Sequence, residues 1–308
     1  MKRYLSLILL VPLGLSAQEP NPTQSAPPGE SAAGSPLYRV NVVARTTKAV
    51  NYGVGGAPTK IDFQGTVFMP QGHGEAVVES DRGAVRVKAK FKDLLPPDRF
   101  GAQFLTYVLW AITPDGRPSN LGEIVTDSGN DGELSTATEL QTFALIVTAE
   151  PYYSVTQPSD VVVLENALRP DTVGQAQTVD AKYELLPRGV ATLDISAARQ
   201  SADRPAEKVS QKEYESISSL YQARNALQLA AAAGAADYAV EAYQRAEQKL
   251  QQAQAQYNAD PKSANVVTLA REAAQTAEDA RILAIRKKKD AEDSARAIRE
   301  TGLKKRPE

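Results

Sequence analysis

His73 is the only histidine of this 308-residue chain, which contains no cysteine. A triad of the Ser–His–Asp type would have to use His73 as its base. The residue lies between Gly72 and Gly74 in a segment that we expect to be a loop, without a nucleophile motif nearby. A zinc site would lack the cysteine and histidine ligands that it requires. We therefore expect a surface histidine and predict no catalytic residue, no metal ligand and no cofactor.

A polar segment after residue 126 could provide oxygen ligands for calcium. Its candidate ligands are Asp127, Asn130, Asp131 and Glu133. In an EF-hand loop, however, Gly129 would occupy a ligand position and Thr138 would replace the closing glutamate. A hairpin turn is the simpler interpretation, with calcium as the alternative. A hydrolase with two carboxylates on loops of the β region is a third hypothesis, which requires a concave pocket, although no spacing singles out a pair.

Apolar and cationic residues alternate strictly between positions 85 and 92. The apolar set is Val85, Val87, Ala89 and Phe91, and the cationic set is Arg86, Lys88, Lys90 and Lys92. This period of two predicts a strand with one buried face and one face that carries four cations. A solvated strand face is the simpler interpretation, and an anion-binding surface is the alternative.

A second cationic run, residues 286–289, lies in a helical segment near the end of the sequence. Asp290, Glu292 and Asp293 follow at helical spacing and largely neutralise it. We expect a solvated helix face, with binding of an anionic lipid or cell-wall polymer as the alternative.

Residues 37–196 contain short β-branched and aromatic runs between clusters of turn-forming residues. The predicted strands cover residues 38–46, 85–92, 104–112, 120–126, 142–148, 161–164, 178–185 and 190–195. This spacing indicates an all-β, immunoglobulin-like antiparallel sandwich. Trp110 should pack near the core. Residues 142–148 are apolar on both faces and should lie in the middle of a sheet.

Residues 210–303 are rich in alanine and other good helix formers, which predicts an α-helical hairpin or a three-helix coiled-coil domain. We expect helices over residues 211–233, from an N-cap at Asp237, and after Asp260–Pro261. The predicted stripes are Ile217, Leu220, Leu227 and Ala231; Ala239, Ala242, Ala246, Leu250, Ala253 and Tyr257; and Val266, Ala270, Ala273, Ala277, Ala280 and Ala284. Such an alanine seam suggests a spacer or a docking rod.

The first 17 residues have the pattern of a secretory signal peptide. Lys2 and Arg3 precede an apolar run over residues 4–15, and Ser16 and Ala17 offer a cleavage site. The run is short for a bilayer span. We expect a periplasmic or secreted protein, with an uncleaved inner-membrane tether as the alternative. Residues 18–36 and 197–209 have the composition of linkers.

The overall charge argues against a nucleic-acid-binding protein. The formal net charge is −2, and removal of Lys2 and Arg3 makes the chain more acidic. The hydrophobic content of 42% is sufficient for at least one core. We therefore expect a folded protein without a transmembrane span after signal cleavage.

Two stretches resemble known families. The segments Tyr107-Val-Leu-Trp-Ala-Ile-Thr-Pro-Asp-Gly116, Asn120-Leu-Gly-Glu123 and Phe143-Ala-Leu-Ile-Val-Thr-Ala-Glu-Pro151 resemble the extracytoplasmic β-sandwich of anti-sigma-K factors. We see no zinc-binding anti-sigma segment before them, so we do not expect this chain to control a sigma factor alone. Gly234-Ala-Ala-Asp-Tyr238 and the Ala-rich helices after it resemble an uncharacterised periplasmic helical domain of outer-membrane-protein-A-type envelope proteins. No α/β peptidoglycan-binding unit follows the helices, so that activity is not expected.

These observations together predict a non-enzymatic, periplasmic cell-envelope scaffold or interaction protein. The β region would bind an envelope protein or a cell-wall component, and the helices would act as a spacer or self-associate through their alanines. The alternative is a membrane-tethered sensory or regulatory module related to anti-sigma ectodomains.

Overall fold

The computed structural model describes residues 40–41, 47–127, 129–179, 183–184 and 210–304. The described β region and helices belong to one compact unit. The predicted signal peptide, both predicted linkers and the predicted strand over residues 190–195 lie outside the described residues. The same holds for all but Val40 and Asn41 of the predicted strand over residues 38–46. None of the described helices is both long and apolar enough to cross a membrane.

The β region contains twelve short or medium strands within the described ranges. They are β1 (Val40–Asn41), β2 (Lys48–Asn51), β3 (Thr59–Gly65), β4 (His73–Asp81), β5 (Ala84–Lys92), β6 (Thr106–Ile112), β7 (Pro118–Ile124), β8 (Gly132–Thr138), β9 (Thr142–Glu150), β10 (Val162–Ala167), β11 (Gln175–Thr178) and β12 (Tyr183–Glu184). β1 pairs with β12, and the other ten strands form one antiparallel sheet.

This large sheet curls until it is nearly a closed barrel. Eight of its strands are hydrogen-bonded in the order β11-β2-β9-β10-β3-β4-β5-β8. The other two extend the sheet from the opposite edge of β9, where β6 pairs with β9 and β7 pairs with β6. β7 and β8 approach each other where the barrel nearly closes. There, Thr136 Oγ1 donates to the Leu121 carbonyl at 2.7 Å, and Thr126 forms an isolated β-bridge with Gly132. The prediction of an all-β antiparallel region before a helical region is confirmed. The immunoglobulin-like sandwich stays a prediction, because these ten strands belong to one sheet.

The alternation in β5 decides which side chains fill the barrel. Val85, Val87, Ala89 and Phe91 are at most 1% exposed, whereas every cation between them is exposed. Phe91 contacts the ring of Phe63 with the ring centroids 5.0 Å apart. The predicted two-faced strand is therefore confirmed, with its apolar face inside the barrel.

β6 and β9 are buried on both faces. In β6, Tyr107 and Leu109 face the barrel core, while Val108 and Trp110 belong to a second core shared with the helices. Because one face of each strand contacts the barrel core and the other face contacts the helices, β6 and β9 are apolar at consecutive positions. Strands with one solvent-exposed face, such as β5, alternate instead. The predictions of a buried Trp110 and of a mid-sheet strand at residues 142–148 are both confirmed.

The sequence patterns did not predict four strands of the sheet, namely β2, β3, β4 and β8. β8 has a single large apolar residue, Leu134, so its alternation is weak. β4 begins at His73, which pairs with Gln64 of β3 and Lys92 of β5. The prediction that His73 lies in a loop was therefore wrong, because His73 is the first residue of β4. The glycines on either side suggested a loop, but a strand end can also accommodate glycine.

Four helices follow the β region within the described residues. They are α1 (Gln211–Ala232), α2 (Ala235–Tyr238), α3 (Val240–Ala259) and α4 (Ala264–Lys304). Ser210 caps α1, where its side chain accepts a hydrogen bond from the Glu213 amide. Gly234 ends this helix with a left-handed φ of 87°, a conformation that glycine adopts at low cost. Asp237 lies inside α2, so the prediction that it caps the next helix was wrong.

The alanine seams are confirmed for two of the three long helices. Every predicted seam residue of α4 is 0% exposed, and the predicted alanines of α3 are at most 7% exposed. The stripe predicted for α1 was wrong at Ala231, which is exposed, and Ile217 is only half-buried. The buried face of α1 instead includes the polar residues Gln222 and Asn225. This face packs against the β region as well as against α4, so a purely apolar period did not describe it.

Candidate functional site: the barrel–helix junction and the projecting helix

The helices are attached to the barrel through the chain segment that follows β9. The Tyr153 amide donates to Gln222 Oε1 of α1 at 2.8 Å. Asn225 Nδ2 donates to the carbonyls of Gln103 and Pro151 at 3.1 and 3.2 Å. Two polar side chains of α1 thus satisfy backbone groups of two barrel loops, which orients the helix on the barrel.

An ion pair between Glu278 and Arg281 lies at the centre of this junction. Arg281 Nε donates to Glu278 Oε2 at 2.7 Å and its Nη2 donates to Oε1 at 2.9 Å, so the contact is bidentate. From the β region, the Tyr152 hydroxyl donates to Glu278 Oε2 at 2.6 Å and the Thr156 amide to Oε1 at 3.0 Å. The side chains of Glu278 and Arg281 are 0% and 3% exposed. A charged pair of α4 therefore binds the barrel in an almost dry environment.

Opposing effects set the ionisation of this pair. Burial of Glu278 favours its neutral form, but hydrogen bonds and charge from Arg281, with hydrogen bonds from Thr156 and Tyr152, outweigh burial and lower its pKa. Burial also disfavours charged Arg281, and the adjacent Glu278 carboxylate nevertheless raises the pKa of the guanidinium. Both residues are thus charged near neutral pH, and each compensates for the burial of the other.

A second ion pair lies nearer the surface of the junction. Arg271 Nη1 donates to Glu123 Oε2 of β7 at 2.7 Å, and the guanidinium carbon lies 4.1 Å from the centroid of the Tyr153 ring. Gln222 Nε2 donates to the other oxygen of Glu123 at 2.9 Å. The Tyr153 hydroxyl donates to the Arg271 carbonyl at 3.0 Å. α1 and α4 thus both bind β7 through one carboxylate.

Glu150, at the end of β9, is a fully buried carboxyl group beside this junction. Its Oε1 accepts hydrogen bonds from the Ser159 amide at 2.7 Å and from Thr148 Oγ1, which itself accepts from Trp110 Nε1 at 2.7 Å. Its Oε2 has no hydrogen-bond partner among the described residues. Burial raises the pKa of Glu150 to about 8, against the effect of the Thr148 and Ser159 hydrogen bonds.

This arrangement is suited to holding two parts of the molecule together. Glu150 and Glu278 are both 0% exposed, so neither carboxylate can contact a dissolved substrate in this conformation. The oxygens of Glu278 are already bound to Arg281, Tyr152 and Thr156. A hydrolase with two carboxylates on loops of the β region would need both of them accessible to a substrate. Glu150 and Glu278 do not meet this requirement.

The two loop hypotheses lead to ordinary structural contacts. His73 is exposed, and its Nδ1 lies 3.1 Å from the Gln71 carbonyl and 3.5 Å from Asp93 Oδ2. Asp127 Oδ1 accepts hydrogen bonds from the amides of Gly129 and Asp131 at 2.8 and 3.0 Å, which is turn geometry. In the described part of the chain, no three His, Cys, Asp or Glu residues are grouped to hold a metal ion.

Carboxylates flank part of the cationic face of β5. Arg86 contacts Asp81 and lies 3.6 Å from Glu79, and Lys90 lies 4.0 Å from Glu133. Lys88 pairs in register with Val77 and Ser135, and Lys92 pairs with His73. The four predicted cations are thus exposed on one face, with two of them near carboxylates. Binding of an anion there stays a prediction.

The second half of α4 makes a different kind of surface. Every residue from Ile285 to Thr301 is exposed, whereas the seam of the first half is fully buried. At a rise of about 1.5 Å per residue, these 17 residues extend roughly 25 Å. We call residues 285–301 the projecting helix. The cations at 286–289 lie on it, and their expected exposure is confirmed.

The junction residues of the helices were not predicted from the sequence. Glu278 and Arg281 immediately follow seam residues Ala277 and Ala280, so they lie at the border of the buried stripe. A charged i,i+3 pair at such a border was the available signal. It was ambiguous, because the same spacing also occurs in exposed pairs such as Asp293 and Arg296.

Comparisons with protein-family models, with curated proteins and with solved structures returned no match. The resemblances to anti-sigma-K ectodomains and to a periplasmic helical domain therefore stay expectations from the sequence.

Proposed function

We propose that this chain is a non-enzymatic scaffold or interaction protein of the bacterial cell envelope. In this proposal the barrel, which the sequence pattern likens to an immunoglobulin-like module, is the body of the scaffold. The projecting helix is an interaction element held at a defined distance from that body. The resemblance of the β region to anti-sigma-K ectodomains and the predicted signal peptide support an extracytoplasmic location.

The observation that carries this proposal is the division of α4 at Ala284. Its first half is anchored by Glu278 and Arg281, which hydrogen-bond to Tyr152 and Thr156 of the barrel. Its second half is exposed over 17 consecutive residues. A helix that is exposed on all sides gains little stability from burial within its own chain. Its exposed side chains are available to a partner, and the anchored first half of α4 fixes the direction in which they project.

The buried groups support a structural role for the junction. Its charged and polar side chains mainly bind one another or backbone groups, and the carboxylates of Glu150 and Glu278 are enclosed. Such a network orients one element on another.

Cell fractionation with N-terminal sequencing tests the location. We expect the mature chain to begin at Gln18 in the periplasmic fraction. An intact Met1 in the membrane fraction would instead favour the tethered regulatory alternative. Recovery of the chain in the cytoplasm alone would contradict both.

Photo-crosslinking in cells tests the role of the projecting helix. A photoreactive residue at Arg296 should yield a discrete crosslinked product, because its side chain is 68% exposed. The matched control carries the same group at Arg245, an exposed position of α3 outside the projecting helix. Equal yields at the two positions would contradict an interaction role for this segment.

A further inference from the structure

One end of the barrel exposes large apolar side chains from three loops. Strand pairing defines this end. Gln64 near the end of β3 and Lys92 at the end of β5 both pair with His73 at the start of β4. Phe91 of β5 pairs with Gly132 at the start of β8, and Ile124 at the end of β7 pairs with Tyr107 near the start of β6. The loops after β3, β5 and β7 therefore emerge together. Their exposed apolar residues are Val67 at 92%, Phe68 at 45%, Leu95 at 42% and Val125 at 58%.

These loops are supported from beneath, so the apolar residues have defined positions. The rings of Phe68 and Phe100 meet edge to face with centroids 6.4 Å apart. The Leu94 amide donates to the Asn130 carbonyl at 3.0 Å and thereby joins two of the loops. Several exposed apolar residues on one supported surface indicate an interaction site, whereas single ones are common.

The same end is acidic. Asp93, Asp98, Asp127 and Asp131 are exposed in the loops that carry Leu95 and Val125. Lys92 and Arg99 are the cations beside them. We call this surface, with Val67, Phe68, Leu95 and Val125, the acidic end. Its chemistry fits a partner that combines apolar side chains with positive charge, and it disfavours an anionic membrane.

The projecting helix has this chemistry. Its cations are Arg286, Lys287, Lys288, Lys289, Arg296 and Arg299, and its carboxylates are Asp290, Glu292, Asp293 and Glu300. Ala291, Ala295 and Ile298 follow the i, i+4, i+7 spacing of one helix face, and Ile298 is 73% exposed. A helix that is net positive and carries an apolar stripe complements an apolar surface bordered by aspartates.

We propose that the acidic end of one molecule binds the projecting helix of a second copy of this chain. Because two different surfaces meet, the contact is heterologous, and repetition produces chains or closed rings. This inference rests on the proposed interaction role of the projecting helix, and it names the partner.

Sedimentation of the purified full chain tests the proposal. We expect the mean mass to rise beyond that of a dimer with protein concentration and to fall at high salt, which screens the charges. Phe68→Asp and Ile298→Asp should each weaken association at least about tenfold. Val54→Asp is the matched control, because Val54 is 55% exposed but lies in the loop before β3, away from the acidic end. It should associate like the wild type.

Mixing the two defective variants gives the decisive result. Phe68→Asp keeps an intact projecting helix and Ile298→Asp keeps an intact acidic end, so an equimolar mixture should form dimers and nothing larger. A mixture that stays monomeric, although each variant melts like the wild type, would overturn the proposal. So would normal association of Phe68→Asp, which indicates pairing between two projecting helices, or a wild-type chain that is monomeric at every concentration.

The proposed function can survive that failure. If the crosslink at Arg296 in cells joins a different envelope protein while the purified chain is monomeric, the projecting helix is an interaction element and the second copy is not its partner. Absence of both results removes both proposals.

Discussion

The two halves of α4 contain the same kinds of residue in different surroundings. Glu278 and Arg281 form an i,i+3 pair at 2.7 Å with 0% and 3% exposure, whereas Asp293 and Arg296 form an i,i+3 pair at 3.5 Å with 54% and 68% exposure. Alanines also occur in both halves, and those from Ala270 to Ala284 are buried, whereas those of the second half are exposed. Burial by the barrel and by the neighbouring helices, not residue type, therefore distinguishes the anchored half of α4 from the projecting half.

Replacing Arg281 with methionine should produce the largest difference between the halves. The change leaves the buried Glu278 carboxylate without its bidentate partner, which should lower the free energy of unfolding by about 3–5 kcal/mol. Arg296→Met is the matched control and should change it by less than about 1 kcal/mol, because its pair is exposed. Urea unfolding followed by circular dichroism measures both. Similar losses would mean that the Glu278–Arg281 pair does not anchor α4.

Glu150 should make the stability of the junction depend on pH. Its pKa is raised from 4.5 to about 8, so the folded state holds a proton that the unfolded state has lost between these values. The free energy of unfolding should therefore fall as pH rises from 5 to 8, by roughly 3 kcal/mol, and level off above 8. In Glu150→Gln this fall should disappear. Glu300→Gln, in the exposed half of α4, should retain it. Urea titrations at several pH values provide the measurement, and parallel profiles for wild type and Glu150→Gln would refute the assignment.

Enlarging an alanine should distinguish the seam from its exposed continuation. Ala280→Leu adds volume at a site with 0% exposure and should cost about 1–3 kcal/mol through overpacking. Ala291→Leu adds the same volume where the helix is exposed and should have little effect on stability. Thermal unfolding of both variants tests this. If Ala291→Leu were equally destabilising, the second half of α4 would have to be packed in solution.

Removal of the projecting helix should have the smallest effect on stability. A chain that ends at Ala284 keeps the seam and the Glu278–Arg281 pair, so we expect the free energy of unfolding to change by less than about 0.5 kcal/mol. Calorimetry at a low protein concentration, where self-association is weak, makes the measurement. A larger loss would show that residues beyond Ala284 stabilise the unit.

Local patterns predicted several elements of the fold because the responsible forces act between near neighbours in sequence. The alternation from Val85 to Lys92 predicts one strand and its buried face. The steps of three and four from Val266 to Ala284 predict the seam of α4. β8 was missed because an alternation with only Leu134 as a large apolar residue is a weak signal.

Periodicity and helix propensity in the sequence were sufficient to predict the strand with one buried face at residues 85–92, the strand buried on both faces at residues 142–148, the long helices, and the alanine seams of α3 and α4. Tertiary structure decided which polar residues are buried. Tyr152 and Glu278 are 126 positions apart, and Asn225 satisfies a carbonyl 122 positions away. Because such contacts depend on how the sheet curls and where the helices pack on it, no local pattern contains them. The same packing decided that α4 is anchored up to Ala284 and exposed beyond it.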